Sequence, residues 1–101
     1  TELKAAKGKL TAHLAAHIPQ EPYSGAVRLM VKWCFSNTGT KHRDGEWKTS
    51  KPDTDNLEKA LKDCMTRLRF WKDDAQVASE ISEKFWAVVP GIYVRIEELP
   101  C

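Results

Sequence analysis

Three aspartates are the residues of this sequence best suited to chemistry. Asp53 and Asp55 stand two residues apart, and Asp74 follows as the second member of a further acidic pair. Carboxylates this close repel each other unless a cation or protons intervene. Mg²⁺ prefers carboxylate oxygens and water as ligands. The pattern predicts that Asp53, Asp55 and Asp74 hold Mg²⁺, with Mn²⁺ as an alternative ion, and that the metal promotes phosphodiester hydrolysis.

A lysine accompanies the first pair of aspartates. Lys59 lies one helical turn after Asp55, so the two side chains share a helix face. A fixed positive charge there would stabilise the charge that develops on a reacting phosphate. The structural alternatives are an Asp55–Lys59 ion pair and a capping box made by Asp55 and Glu58. Neither accounts for Asp53, so we interpret Asp53, Asp55, Lys59 and Asp74 as catalytic residues.

Basic residues outnumber acidic ones in the segment before the aspartates. These cations are Lys41, Arg43, Lys48 and Lys51. Clustered cations of this kind bind DNA phosphates, and a solvated surface is the alternative. The net charge of +2 adds little, because strong nucleic-acid binders are usually more basic.

The composition is that of an ordinary globular domain. The 101 residues are 42% hydrophobic and 30% charged, which fits one domain over residues 1–101. No apolar run approaches the roughly 20 residues that a membrane-spanning helix needs. We therefore expect no membrane association and a cytoplasmic location.

Hydrophobic periodicity predicts five elements. They are a helix over 2–18, a strand over 26–35, a helix over 55–68, and strands over 75–89 and 92–96. Residues 36–52 are polar without a period and predict a long loop. This order predicts an α+β fold in which two helices pack on a small mixed sheet.

Two motifs together resemble the RusA-like family of Holliday junction resolvases. They are KPDTDNLEKA over residues 51–60 and FWKDDAQV over residues 70–77. The Pro90-Gly91 turn before an alternating strand is similar to the family's C-terminal hairpin. The resemblance implies a homodimeric, Mg²⁺-dependent endonuclease, often encoded by phages or prophages, that cuts branched DNA such as four-way junctions during recombination and repair.

The resemblance also implies residue roles. The family's catalytic set matches Asp53, Asp55, Lys59 and Asp74, while Asp73 and Asn56 match further motif positions that we expect behind the metal ligands. The family normally begins with a strand before the first helix, and that strand is missing here. We therefore expect an N-terminally truncated RusA-like domain, encoded by a bacterium or a phage.

Two questions stay open at this point. A helix over 56–68 is about 20 Å long, so Asp74 either returns along its own chain or completes the site of a partner subunit. The first arrangement is slightly favoured, with a dimer interface nearby. The functional alternatives are a non-catalytic DNA-binding or dimerisation module derived from this family, and a sugar-nucleotide transferase with a Mn²⁺-binding DxD, for which the chain is too short.

Overall fold

The computed structural model describes the backbone of residues 2–100 and the side chains of residues 9–100. The elements are helix α1 (Glu2–Ala15), strand β1 (Val27–Ser36), helix α2 (Thr54–Arg67), strand β2 (Val77–Ala87) and strand β3 (Gly91–Glu98). A 3-10 turn, Asp74–Gln76, precedes β2. The predicted α+β fold is confirmed. Within residues 2–100, no helix has the length and apolar character to cross a membrane.

β1 lies at the centre of a three-stranded mixed sheet with the order β2-β1-β3. It pairs with β2 in parallel and with β3 antiparallel. Parallel neighbours need a crossover connection, and α2 lies on that connection. Alternate residues of β1 point to the helices and are buried: Val27, Leu29, Val31 and Trp33. Helix residues such as Leu14, Leu61 and Met65 complete one core on this face of the sheet.

α2 ends in a left-handed turn that redirects the chain. Arg69 has a φ of 70°, a conformation that costs a non-glycine residue about 1 kcal/mol. The Phe70 N–H donates to the Met65 carbonyl at 3.0 Å, and the Arg69 N–H donates to Thr66 at 3.1 Å, which is a Schellman motif. Phe70 and Trp71 are then buried in the core. This motif holds the start of the second acidic segment in place.

The segment before α2 differs from the predicted irregular loop, because part of it pairs with the outer edge of β2. The Lys48 N–H donates to the Lys84 carbonyl at 3.0 Å, and the Trp86 N–H donates to the Glu46 carbonyl at 2.8 Å. The Lys84 ammonium also donates to the carbonyls of Ser50 and Pro52. An edge strand leaves backbone groups unpaired, and this segment satisfies them.

Candidate metal and DNA site

Asp53 and Asp55 lie at the N-terminus of α2. Helix α2 begins at Thr54, one residue before the predicted start, with Asp53 as its N-cap in an extended conformation. Both aspartates are exposed, and the Asp53 side chain makes no capping hydrogen bond. No ion pair in the described part of the chain involves either carboxylate. The partial positive charge of the helix N-terminus favours two carboxylates here, by at most about 1 kcal/mol.

The capping box considered for Asp55 and Glu58 is absent from α2. Asp53, not Asp55, is the N-cap, and Glu58 points into the protein with only 4% of its surface exposed. Neither carboxylate oxygen of Glu58 forms a hydrogen bond of normal geometry. The nearest donors, the Ser82 hydroxyl and the Trp33 indole, lie close enough to lower the pKa of Glu58, but the indole is already bonded to Ser82 at 3.0 Å. Periodicity explains this placement, since Glu58, Leu61 and Met65 follow the i, i+3, i+7 spacing of one buried helix face.

Burial changes the acidity of Glu58. Desolvation is the main cause that raises the pKa of this carboxyl, and the negative charge of Glu80 adds to the increase. The Ser82 hydroxyl, the Trp33 indole and the Lys62 ammonium oppose the increase in the pKa. Lys62 is itself paired with Glu80 at 3.0 Å. Glu58 is thus a buried acid close to the candidate site, and the sequence analysis did not anticipate its burial.

Lys59 is exposed on α2, and the ion pair proposed as its structural role is not formed. The ion pairs of the described residues join other groups, so neither Asp55 nor any other acid with a described side chain is paired with this ammonium. An exposed, uncommitted cation one turn after Asp55 is free to approach an anionic ligand. The placement supports the predicted electrostatic role of Lys59.

The two aspartates of the second acidic pair have different roles: Asp73 caps a turn, and the Asp74 side chain is exposed. The Asp73 carboxylate accepts a hydrogen bond from the Ala75 N–H at 2.8 Å and caps the 3-10 turn. Gln76 completes this capping box by accepting from the N–H groups of Lys72 and Asp73. The Asp74 carbonyl accepts from the Val77 N–H, but its exposed carboxylate takes part in no ion pair of the described residues. This geometry favours Asp74 over Asp73 as a metal ligand.

Gln76 also fastens this turn to the rest of the fold. Its amide donates to the carbonyl of Tyr23 at 2.8 Å and to that of Gly25 at 3.0 Å, just before β1. The Gln76 oxygen accepts from Lys72 and Asp73, so this one side chain joins the Asp74 turn to the segment that leads into β1. The sequence analysis treated Gln76 only as part of the motif; its position three residues after Asp73 was the available signal.

A single chain does not bring the three aspartates together. Asp74 precedes the first residue of β2, whereas Lys84 near the other end of β2 holds the Pro52 carbonyl beside Asp53. Seven strand residues span about 23 Å, and the 14-residue helix α2 spans about 21 Å. Across the described side chains, no group of three His, Cys, Asp or Glu residues could hold a metal ion. The described residues therefore do not favour the return of Asp74 within its own chain.

The predicted DNA-binding cations do not all reach solvent. Lys41, Arg43 and Lys51 are exposed. Lys48 is only 9% exposed, and its ammonium lies 4.0 Å from the centre of the Trp86 ring and 2.8 Å from the Ser50 hydroxyl. Burial, together with repulsion from Lys84, lowers the pKa of the Lys48 ammonium. Lys48 thus packs inside the protein, which corrects its prediction as a phosphate contact.

Aromatic rings gather beside these cations at the end of β2. His42 stacks on Trp86 with ring centres 4.3 Å apart, and Trp47 lies against Phe85 with ring centres 4.6 Å apart. Trp47 keeps 59% of its surface exposed. None of these residues was predicted to be functional, although His42 and Trp47 stand out as aromatic rings in an otherwise polar segment.

The residues at the start of α2 suit a Mg²⁺ ion. The exposed, uncommitted carboxylates of Asp53 and Asp55 are hard oxygen donors, and Mg²⁺ is commonly held by one or two carboxylates, with water and substrate phosphate as the other ligands. Asn56 is exposed beside them, and its expected position behind the ligands stays a prediction. One chain therefore offers two carboxylates that could contribute to a Mg²⁺ site at this point.

Comparison with known proteins connects this geometry to a family. The model of the family described as endodeoxyribonuclease RusA matches residues 1–97. The crossover junction endodeoxyribonuclease rusA of Lactococcus phage r1t is 42% identical over 69 residues, which cover 67% of this chain and 53% of the phage protein. The uncharacterized protein YqaN of Bacillus subtilis (strain 168) is 33% identical over 93 residues, which cover 82% of this chain and 65% of that protein.

The chain thus spans between about half and two thirds of the length of these relatives. The family match, in contrast, covers nearly all of the chain and includes both acidic motifs. The resemblance drawn from the two motifs is confirmed: the chain belongs to the endodeoxyribonuclease RusA family.

Proposed function

We propose that this protein is a Mg²⁺-dependent endodeoxyribonuclease that resolves Holliday junctions and other branched DNA during recombination and repair. Membership of the RusA family and similarity to a phage crossover junction endodeoxyribonuclease support the reaction class. The observation that carries the proposal is the pair of exposed carboxylates, Asp53 and Asp55, with uncommitted Lys59 one turn further along α2. The relatives, from a phage and a bacterium, support a cytoplasmic setting.

We propose further that the metal site is completed across a homodimer. Asp53 and Asp55 lie at the start of α2 and Asp74 follows its end, and the 14-residue helix between them is about 21 Å long. Asp74 is exposed on a turn that Asp73 and Gln76 hold rigidly. A second copy of the chain, related by a two-fold axis, would bring its Asp74 to the first chain's Asp53 and Asp55, and the reverse. Two equivalent sites suit paired nicks in opposite strands of a junction.

Each residue of the site has a distinct task. Asp53 and Asp55, with Asp74 of the second copy, would hold Mg²⁺, which lowers the pKa of a bound water and neutralises charge on the scissile phosphate. Lys59 offsets the negative charge that grows on the phosphate oxygens as water adds and one P–O bond breaks. Lys41, Arg43 and Lys51 position the DNA through its phosphates. The reaction leaves one phosphate end and one hydroxyl end.

Mixing inactive subunits tests the composite site. Asp53→Asn and Asp74→Asn proteins are each expected to bind a synthetic four-way junction without nicking it in Mg²⁺. When the two are unfolded together and refolded at equal concentrations, about half of the dimers should be mixed, each with one intact site. Nicking should return to about a quarter of the wild-type level. A site contained in one chain would give no recovery, because each chain would lack one ligand.

Controls separate this proposal from a non-catalytic role. Asp53→Asn mixed with Asp55→Asn should stay inactive in either arrangement, because both ligands belong to the same half of the site. Wild-type protein should nick the junction in Mg²⁺ and not in EDTA, and should leave linear duplex intact. Tight junction binding without any nicking in Mg²⁺ or Mn²⁺ would instead identify a DNA-binding or dimerisation module.

A further inference from the structure

Trp47 is an exposed aromatic ring on a rigid support. Its backbone forms an isolated antiparallel bridge with Phe85 of β2, and the flanking residues donate or accept further hydrogen bonds to β2. One side of the ring lies against Phe85 at 4.6 Å between ring centres. With 59% of its surface exposed, Trp47 still offers a broad face to solvent. A fixed ring loses little conformational entropy when a ligand stacks on it.

The neighbouring Trp86 serves a different purpose. His42 stacks on it almost in parallel, and the Lys48 ammonium lies 4.0 Å from its ring centre. Trp86 is consequently occupied by groups of its own chain. Within the aromatic cluster at this end of β2, Trp47 is the ring with the largest open surface.

The charge around Trp47 favours an anionic ligand. Lys41, Arg43 and Lys51 are exposed in the same segment, and no ion pair of the described residues involves them. The two acids of the segment are engaged: Asp44 accepts from the Val88 N–H, and Glu46 is paired with His42. Three available cations thus lie within six positions of Trp47 in the sequence, and the acids of the same segment are already bound.

The Trp47 segment leads directly to the metal ligands. Trp47 lies six positions before Asp53, a reach of at most about 20 Å. Lys84 of β2 holds the intervening chain through the carbonyls of Ser50 and Pro52, at 2.7 and 2.8 Å. A nucleotide on Trp47 would therefore lie within a few nucleotides of the phosphate at Asp53 and Asp55.

We propose that Trp47 is a stacking platform for an unpaired base of the DNA substrate. An aromatic ring beside cations is the usual means by which proteins bind single-stranded DNA. Bases inside a duplex are already stacked on their neighbours, so the ring gains most where pairing is interrupted, as at a branch point. This role rests on the proposed function for its substrate class, branched DNA. Trp47 would then distinguish DNA with unpaired bases from fully paired duplex.

The test measures binding without cleavage. Wild type, Trp47→Ala and Trp47→Tyr are titrated in EDTA with a single-stranded oligothymidylate, a linear duplex and a four-way junction. Trp47→Ala should bind the single strand about 5- to 150-fold more weakly, Trp47→Tyr should recover most of the affinity, and duplex affinity should change less than about twofold. Ile81→Ala, which shortens another exposed apolar side chain of β2, should match wild type.

Fluorescence gives an independent readout of stacking. The chain has four tryptophans, of which Trp33 and Trp71 are buried. The oligothymidylate should quench wild-type tryptophan emission, and Trp47→Tyr should lose most of this quenching while keeping its affinity. Unchanged affinity in Trp47→Ala, equal losses on single strand and duplex, or a change of oligomeric state on sedimentation would each overturn the proposal.

The outcomes also separate this inference from the proposed function. If wild type binds the oligothymidylate through Trp47 but never nicks a junction in Mg²⁺, the nuclease proposal fails and the platform stands. If Trp47→Ala binds every DNA like wild type while wild type nicks junctions, the platform fails and the nuclease proposal stands.

Discussion

Glu58 gives the sharpest prediction about stability, because it is a buried acid without a hydrogen-bond partner. We predict that Glu58→Met stabilises the fold at neutral pH. Methionine has a similar length, favours helices and adapts to irregular core space. A buried polar group left without a partner costs about 1–3 kcal/mol, and methionine removes that group. With about 0.2 kcal/mol per kelvin of unfolding entropy for a chain of this size, a gain of about 2 kcal/mol raises Tm by about 10 °C.

The pH dependence identifies the cause of this gain. Burial raises the pKa of the Glu58 carboxyl above its ordinary value of 4.5, so the folded chain keeps this proton to higher pH than the unfolded chain does. The contribution of Glu58 is therefore most favourable below pH 4.5 and is lost as the pH rises through the raised pKa. The advantage of Glu58→Met should be smaller at acidic pH, where only a neutral carboxyl is buried, and should increase towards neutral pH, where the carboxylate is buried.

Urea denaturation followed by circular dichroism, at several pH values between about 4 and 8, measures this difference. Glu58→Gln keeps the polar side chain but cannot ionise, so it should abolish this pH dependence with a smaller gain in stability. Glu98→Met makes the same exchange at an exposed position of β3 and should change the unfolding free energy by less than about 0.5 kcal/mol. Two results would refute the reasoning. One is a Glu58→Met protein that is less stable than wild type at pH 7, and the other is a difference in unfolding free energy between the two proteins that is the same at every pH.

Three further predictions concern the elements that carry the aspartates. Arg69→Gly should raise the unfolding free energy by about 0.5–1 kcal/mol, because glycine adopts the left-handed conformation at little cost. Arg69→Ala should not raise it. Equal unfolding free energies for the two variants in urea denaturation would contradict this prediction. Gln76→Ala should lower the unfolding free energy by about 1–3 kcal/mol and reduce junction nicking, and nicking at the wild-type rate would mean that the Asp74 turn keeps its position without Gln76. Lys59→Met should slow nicking about 10- to 1000-fold with little change in junction affinity, whereas Lys62→Met, one turn away and paired with Glu80, should nick like wild type.

Hydrophobic periodicity was enough to predict the architecture. Alternation along β1 and three- to four-residue spacing along α2 indicated which faces are buried, and Val27, Val31 and Leu61 are indeed buried. The order of the elements indicated helices packed on a mixed sheet. Periodicity reports which side of an element is apolar, but it does not report which strands pair. The central position of β1 therefore came only from the structure.

The acidic motifs could be recognised from sequence, but their geometry could not. Spacing alone does not distinguish Asp73 from Asp74, whereas the structure shows Asp73 capping a turn and Asp74 exposed. Nor does spacing show where Asp74 points relative to Asp53, since that depends on how far α2 and β2 extend. Lys48 illustrates a further limit: a lysine in a polar segment is expected in solvent, yet its ammonium lies over the rings of Phe35 and Trp86.

The pairing of β1 has a consequence for how the chain reaches this fold. Val27 of β1 pairs with Val77 and with Glu98, so both neighbours of the first strand come from the second half of the chain. During synthesis, the apolar side of β1 would leave the ribosome long before either partner exists. Contacts so distant in sequence slow folding and prolong the exposure of aggregation-prone apolar segments. We therefore expect recombinant yield to depend on temperature and chaperone supply more than equilibrium stability alone would suggest.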